Sequence, residues 1–324
     1  MIFVLCSDNL TVCLFFHPIM REKEQENAAI LLQKHARRFL VQKKYAIRSL
    51  PTIALEFYPT FIVGNDPMMH DLGKYIEKRD KIALIGTSGL RSLALALRLS
   101  PRKITPKIFI VDNSEEVYSF WYGMREIASK SETVEAFFLN VKVFLKTNSD
   151  LYRVIHNDAY QSGYNPDTDY LKQNPLLFID HLTSRYGYQS VRATLQHVSL
   201  VKQDWADEAV FFTIKNLLSY HGLEKVYMYP SNIVHCSDKS TQEKILNNIE
   251  KFAPRLAIHT DLCEKHDMPE NVYYITDHRP LAVLSTLFAK KSCQPLIVSP
   301  LSLFARYFED PNKEQEMFLQ SRRP

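Results

Sequence analysis

An α/β fold is predicted here: a doubly wound, mostly parallel sheet with a helical insertion and an N-terminal helical arm. Two observations carry that prediction. From Lys81 onward, short apolar runs ending in Gly, Asp or Asn alternate with longer runs of helical periodicity. That is the pattern of strands covered by helices on both faces. Upstream, from Glu22 to Ser49, the chain is rich in bases and holds neither Pro nor Gly, so it reads as one helix outside the sheet.

The arm comes first. Glu22, Glu24 and Glu26 precede the bases, the order a helix dipole favours. Between Lys34 and Arg48 there are six basic residues and no acid. Leu32, Ala36, Phe39 and Leu40 share one face, flanked by Arg37 and Lys43, and Pro51 is expected to stop the helix. The stretch resembles the IQ motif, the calmodulin-binding helix. Leu32, Gln33, Arg37 and Tyr45 stand at matching positions. Arg38 replaces the usual Gly, and Gln42 stands where a base is usual, with Lys43 directly after it. The resemblance implies calmodulin as partner: Leu32 fills a cleft, Gln33 hydrogen-bonds, and Arg37, Arg38 and Lys43 face an acidic rim, with Phe39 and Tyr45 as apolar contacts. The competing reading is an amphipathic helix packed on the body or touching an anionic membrane.

Composition sets the outer bounds. The chain has 324 residues, 46% of them hydrophobic and 23% charged, enough for a full core. The boundaries expected are residues 1–50 for the N-terminal segment and arm, and 51–324 for one doubly wound α/β domain. Net charge is +4 over the whole chain. Residues 1–50 hold eight Lys/Arg against four Asp/Glu, which leaves the body 32 of each and neutral. A neutral body argues against nucleic acid, whose phosphates ask for a basic surface. The 5 cysteines are odd in number, widely spread and without a C-x-x-C pair, which fits reduced thiols in a cytosol. The apolar first twenty residues lack a basic n-region and are broken by Asp8, Asn9 and Pro18, so neither a secretory signal nor a stable membrane span is expected.

The body follows in order. KIALIG (81–86), KIFIVD (107–112), HVSLVKQD (197–204), KVYMYPSN (225–232), RLAIHTD (255–261) and NVYYITD (271–277) read as strands. LRSLALALRL (90–99), ADEAVFFTIKNLLSYHG (206–222), STQEKILNNIEKF (240–252) and PLAVLSTLFAKK (280–291) read as helices. The gap from Asp112 to His197 is too long for one crossover helix, so residues 115–195 are expected to insert several helices as a lid. FIVGNDPMMHDLGKY (61–75) is a second lid candidate.

Open parallel sheets bind ligands at the carboxyl ends of their strands. Those ends are Gly86-Thr87-Ser88-Gly89, Asp112-Asn113, Asp204-Trp205 and Tyr229-Pro230-Ser231-Asn232. The glycines allow a tight turn into the next helix, but G-T-S-G is neither G-x-G-x-x-G nor G-x-S-x-G. Asp112 can accept ribose hydroxyls, and Asp204 an adenine amino group, with Trp205 placed to stack. Acids at strand ends also cap the following helix, which is the structural alternative.

This order resembles the Rossmann-like methyltransferases that use S-adenosylmethionine. The resemblance implies that Gly86 to Gly89 cradle the cofactor, that Asp112 and Asn113 meet the ribose, and that Asp204 and Trp205 meet the adenine. It departs from the family before the glycines, where Ile85 replaces the usual acid. A second likeness, through Asp204 and Tyr229-Pro-Ser-Asn-Ile, is to the 3-amino-3-carboxypropyl transferases of the same cofactor. Because the sulfonium already activates the transferred carbon, the protein needs only to align a nucleophile and remove a proton. Tyr229 and Asn232 are the candidates for orienting the acceptor, and Asp66 or His70 for the proton. His259, Cys263 and His266 lack a metal-site spacing, so no metal is expected.

The function expected is a calmodulin-binding transferase that modifies a protein, methyl transfer being favoured over aminocarboxypropyl transfer. A non-catalytic scaffold that recruits calmodulin, or an NAD-type enzyme whose arm merely packs, are the alternatives. Calmodulin is eukaryotic, so the expected location is a eukaryotic cytosol, reached natively or by delivery from a bacterium.

Overall fold

Strand order is what defines the architecture. A computed structural model of the chain describes residues 22–56, 60–63, 72, 75–101, 103–149, 152–153, 174–265, 268–277 and 296–298. The arm is α1 (Glu22–Lys44), and a two-residue strand β1 (Thr60–Phe61) pairs in parallel with β4 (Tyr152–Arg153). The main sheet contains β2 (Ile82–Gly86), β3 (Lys107–Asp112), β5 (Val198–Lys202), β6 (Lys225–Ser231), β7 (Leu256–Lys265), β8 (Met268–Asp277) and β9 (Leu296–Val298). Its spatial order is β5-β3-β2-β6-β7-β8-β9. The first five are mutually parallel, and β8 runs antiparallel to β7. The chain therefore reverses its direction of growth between β2 and β6, which creates a crevice at their carboxyl ends.

Alternate strand residues feed two cores, as a period of two requires. Ile82, Leu84, Ile108, Ile110, Tyr227 and Tyr229 face one layer; Ala83, Ile85, Phe109, Val111, Val226 and Met228 face the other. The first layer is α2 (Leu90–Leu99), α3 (Glu115–Lys130), α4 (Val134–Thr147), α5 (Pro175–Tyr186) and α6 (Tyr188–Gln196). The second is α7 (Glu208–Tyr220) and α9 (Lys239–Phe252), with the short α8 (Ile233–Cys236) leading into α9. The sheet is doubly wound.

Local chemistry starts these helices where the sequence allows. Ser114, Thr133, Asn174, Asp207 and Asp238 each accept a first-turn N–H, and Pro175 follows Asn174 at the first helical position, as N-terminal caps do. The helices expected as an insertion do lie between β3 and β5. They form the covering layer rather than a lid: Phe120, Trp121, Phe137, Phe178 and Val191 are all buried in the first core. Their apolar faces need the sheet, since an isolated helix cannot bury them.

The arm stops earlier than Pro51. Ala46 is left-handed at φ 51°, Tyr45 N–H bonds Val41 O at 3.0 Å and Ile47 N–H bonds Gln42 O at 2.9 Å. This is a helix-closing turn that ordinarily favours glycine. Among the described residues no helix is long and apolar enough to cross a membrane. The first twenty residues, most of 61–75 with Asp66 and His70, and the run 280–291 lie outside the described residues.

Candidate functional site

The loop Gly86–Gly89 connects β2 to α2 and is braced from four directions. Ser92 Oγ donates to Thr87 O at 2.7 Å. Trp121 Nε1 donates to Ser88 O at 2.6 Å. Leu90 N–H reaches Ile62 O at 2.7 Å. Thr87 Oγ1 donates to Asp112 Oδ2 at 2.5 Å, and Ser88 N–H to the same oxygen at 3.2 Å. Gly86 is required by packing, because a Cβ there would lie 2.5 Å from Ser92 Oγ. Ser88, at φ 55°, holds a left-handed conformation that non-glycine residues seldom adopt, and such strain persists only where the surroundings enforce it.

Asp112 ends β3 as expected, directly beside this loop. Its carboxylate accepts from Thr87 and Ser88 on one oxygen and from Ser114 N–H at 3.0 Å on the other. Burial is the largest influence and lifts its pKa, while hydrogen bonds from Thr87, Ser114, Ser88 and Asn113 pull against it. A carboxylate offers about four lone-pair sites, and these four donors engage its capacity, so a ribose hydroxyl would have to displace one of them. Tyr118 OH bonds Asp112 O and, at 2.7 Å, Val201 O. Burial and the nearby Asp112 raise that phenol well above its ordinary pKa, so it stays protonated and ties β3 to β5.

Asp204 and Trp205 follow β5 but part company. Asp204 is exposed, and its Oδ1 accepts Ala206 N–H at 2.8 Å. A carboxylate with one such bond keeps capacity for a further donor. Trp205 is 2% exposed, packs on Phe211 with ring centroids 5.2 Å apart, and donates Nε1 to Val111 O at 2.8 Å. The stacking role expected of Trp205 does not fit this placement: the indole belongs to the core, because its N–H and both faces are worth more there than in water.

Across the crevice, Tyr229 is 1% exposed and packs in the first core. Ser231 is left-handed at φ 56°, and the β6–β7 register shifts between Met228 and Ser231. That bulge turns the strand end toward Asn232, whose Oδ1 accepts Ser231 Oγ at 3.4 Å and which precedes α8. Of the two candidates for the acceptor, Asn232 is half-buried at the crevice, whereas Tyr229 is buried in the first core. Buried His259 pairs in register with Ser231 on β7. Among the described residues no cluster of His, Cys, Asp or Glu could hold a metal ion.

Sequence reasoning did not anticipate Thr87, Ser92 and Trp121 as a frame for the loop. The signals were a small residue six positions after Gly86 and an indole one helix away, neither distinctive alone. It also passed over the segment after the arm. Gln203 Nε2 donates to Pro51 O at 2.5 Å, Glu56 N–H to Asn113 O at 2.8 Å, and Glu115 N–H to Glu56 O at 3.0 Å. Residues 51–56 thus run past the ends of β5 and β3, beside Asp204 and Asp112.

The arm itself is largely clear of the body. Ile30, Leu31, Phe39 and Leu40 are 45–58% exposed, and Gln33, Arg37, Arg38 and Lys43 are exposed while Leu32 is half-buried. Its end meets the domain: Tyr45 meets Tyr220 edge-on at 5.1 Å. A cavity of about 370 Å³ lies at the opposite, amino-terminal end of β6, lined by Lys215, Leu218, Val226, Phe252 and Arg255. Its cations are engaged, Lys215 with Phe252 O at 3.3 Å and Arg255 with Glu77 Oε1 at 2.9 Å.

No protein-family model matches the chain, and no curated protein matches its sequence.

Proposed function

We propose that the chain is a calmodulin-binding, S-adenosylmethionine-dependent group transferase that modifies a protein, with methyl transfer favoured. One observation carries the reading: a braced glycine loop and a strand-end acid meet at the point where the sheet reverses its order. Ligands of open parallel sheets sit at that point. Gly86 to Gly89 and Asp112 fit the ribose and methionine side of such a cofactor, Asp204 fits an adenine amino group, and Asn232 faces the acceptor across the crevice. The cofactor supplies the activated carbon, and these residues bind and orient it. The parting proton falls to Asp66 or His70.

The arm supports the partner half. Four exposed large apolar side chains on a helix whose last half is basic complement an acidic protein with an apolar cleft, and Gln33 and Arg37 stand at the positions that calmodulin reads in IQ helices. A calmodulin ligand acts in a eukaryotic cytosol. Aminocarboxypropyl transfer is the second reading, favoured by the strained Ser231 that ends β6 and by Asn232 directly after it.

Isothermal titration of S-adenosylmethionine, with and without calmodulin, tests both halves. Saturable binding of each is expected. Absence of cofactor binding in both titrations sinks the transferase and leaves the scaffold. Product mass then separates a methyl from an aminocarboxypropyl adduct.

A further inference from the structure

We infer that docking of a partner on α1 and closure of the 51–56 segment over the strand ends oppose one another, so that the arm controls access to the cofactor crevice. This deepens the reading above and rests on it for the names of both ligands.

The mechanical link is a run of twelve residues anchored at successive places. Tyr45 packs on Tyr220 of α7 at 5.1 Å. Asn216 Nδ2, on the same helix, donates to Ala46 O at 3.1 Å. The Arg48 guanidinium lies 5.7 Å from the Phe212 ring, again on α7. Leu50 packs against the second core. Pro51 O is then held by buried Gln203 at the end of β5, and Glu56 exchanges both backbone bonds with the Asn113–Glu115 segment at the end of β3. One face of α7 therefore holds the front of this run, and the cofactor-facing strand ends hold the back.

Tyr45 belongs to two surfaces at once. It is the last matching residue of the docking helix, and it is the first residue attached to α7. A partner that encloses the helix through its final turn must take the Tyr45 ring from Tyr220. The ring cannot pack on Tyr220 and be enclosed by a partner at the same time. With Tyr45 goes the neighbouring bond from Asn216 to Ala46, so the arm leaves α7 and the strap loses its forward anchors. The remaining bonds, from the Gln203 side chain to Pro51 O and between the Glu56 and Asn113–Glu115 backbones, then hold a mostly exposed segment with only Ile53 and Leu55 half-buried, and such a segment opens more readily than the core. By linkage, a ligand that requires the strap displaced strengthens partner binding by the same factor.

The experiment uses the full chain, the Tyr220→Ala variant and calmodulin, read by amide hydrogen exchange and by titration. Tyr220 is 41% exposed, so the variant is expected to fold. Without any partner, Tyr220→Ala is expected to raise exchange at the Glu56 and Glu115 amides several-fold, because the arm is loosened from α7. Unchanged exchange there overturns the coupling, independently of what binds the arm. With calmodulin, the wild-type chain is expected to show the same rise, and Tyr220→Ala to bind calmodulin roughly threefold to tenfold more tightly, the scale of one aromatic pair. Equal affinities together with unchanged exchange overturn the inference and leave α1 as a simple docking helix. If calmodulin binds neither chain, the partner reading fails, and the exchange comparison between the two chains still decides whether arm and strap are coupled.

Discussion

Thr87 Oγ1 sits 2.5 Å from Asp112 Oδ2, so the loops that follow β2 and β3 are joined side chain to side chain at the bottom of the crevice. The bond decides how Asp112 titrates. Burial holds its pKa above the ordinary value, and Thr87 is the strongest influence in the other direction. A raised carboxylate contributes its stability fully below the unfolded pKa and loses it as pH rises through the folded one. Thr87→Val removes a donor from the charged form and lifts the pKa further. The variant is expected to lose about 1.5–3 kcal/mol while the carboxylate is charged, the worth of a hydrogen bond to a charge, and progressively less as falling pH protonates it, with pH 7 and pH 4 as the two points compared. Urea unfolding at the two pH values reads this directly. An equal loss at both would mean that Thr87 does not serve the carboxylate.

Trp205 separates a structural from a cofactor role cleanly. Its N–H ends on Val111 O and its ring on Phe211. Trp205→Phe keeps an aromatic ring but leaves the Val111 carbonyl without that donor, so about 1–3 kcal/mol of stability should go. On the proposed function, affinity for S-adenosylmethionine should stay within twofold once the protein is kept folded. A large fall in affinity with little change in unfolding midpoint would put the indole against the adenine instead.

The sheet was legible in the sequence because each strand is a short apolar run with a polar end, and burial on both faces demands that pattern. Asp112 could be placed for the same reason: it is the first residue after KIFIV that the core does not claim. Trp205 could not. An indole beside a strand-end acid reads equally as a stacking platform or a core residue, and only the tertiary positions of Phe211 and Val111 decide. The end of α1 was misplaced because Pro51 is the obvious stop, whereas the actual stop is Ala46 in a left-handed turn that its sequence does not advertise. The strap was invisible for a related reason. Its bonds at Pro51 and Glu56 use backbone atoms, which every sequence supplies.

Ala253 closes α9 at φ 54° and ψ 61°, with its N–H bonded to Ile249 O and Glu250 O, and it is exposed. An L-residue with a Cβ is strained in that region, and glycine is not. Its methyl group packs little, so nothing offsets the strain. Ala253→Gly is expected to raise stability by about 0.5–1 kcal/mol after the added unfolded-state entropy of glycine is subtracted. Denaturant midpoints of the two proteins check it, and a loss of stability would mean that the methyl group is packed after all.

Asp238 begins the same helix. Its carboxylate accepts from Ser240 N–H at 2.9 Å, Thr241 N–H at 3.1 Å and Thr241 Oγ1 at 2.6 Å. The Thr241 side chain is the main reason its pKa falls from 3.8 to about 2. For a depressed carboxylate the stabilisation is present above the unfolded value and disappears as pH drops through the folded one. Asp238→Asn keeps the cap but cannot titrate. Wild type should therefore be the more stable of the two above pH 4, and the difference should close between pH 4 and pH 2. Thermal unfolding across that range measures it, and a gap that is constant with pH would exclude the charge as its source.

Phe39 links the arm to its purpose. It is 58% exposed on α1, and an exposed large apolar residue on a helix earns nothing in the free chain. Phe39→Ala should shift unfolding by no more than about 0.5 kcal/mol, as for other surface positions; alanine also favours the helix. On the proposed function the same ring enters the partner's cleft, and a buried aromatic anchor contributes about 2 kcal/mol or more to an interface. Calmodulin affinity should then fall at least tenfold while the fold and the cofactor titration stay as they were. The paired measurement is what gives the result its meaning. A stability loss would place Phe39 against the body, and an unchanged affinity would turn the apolar face of α1 away from calmodulin.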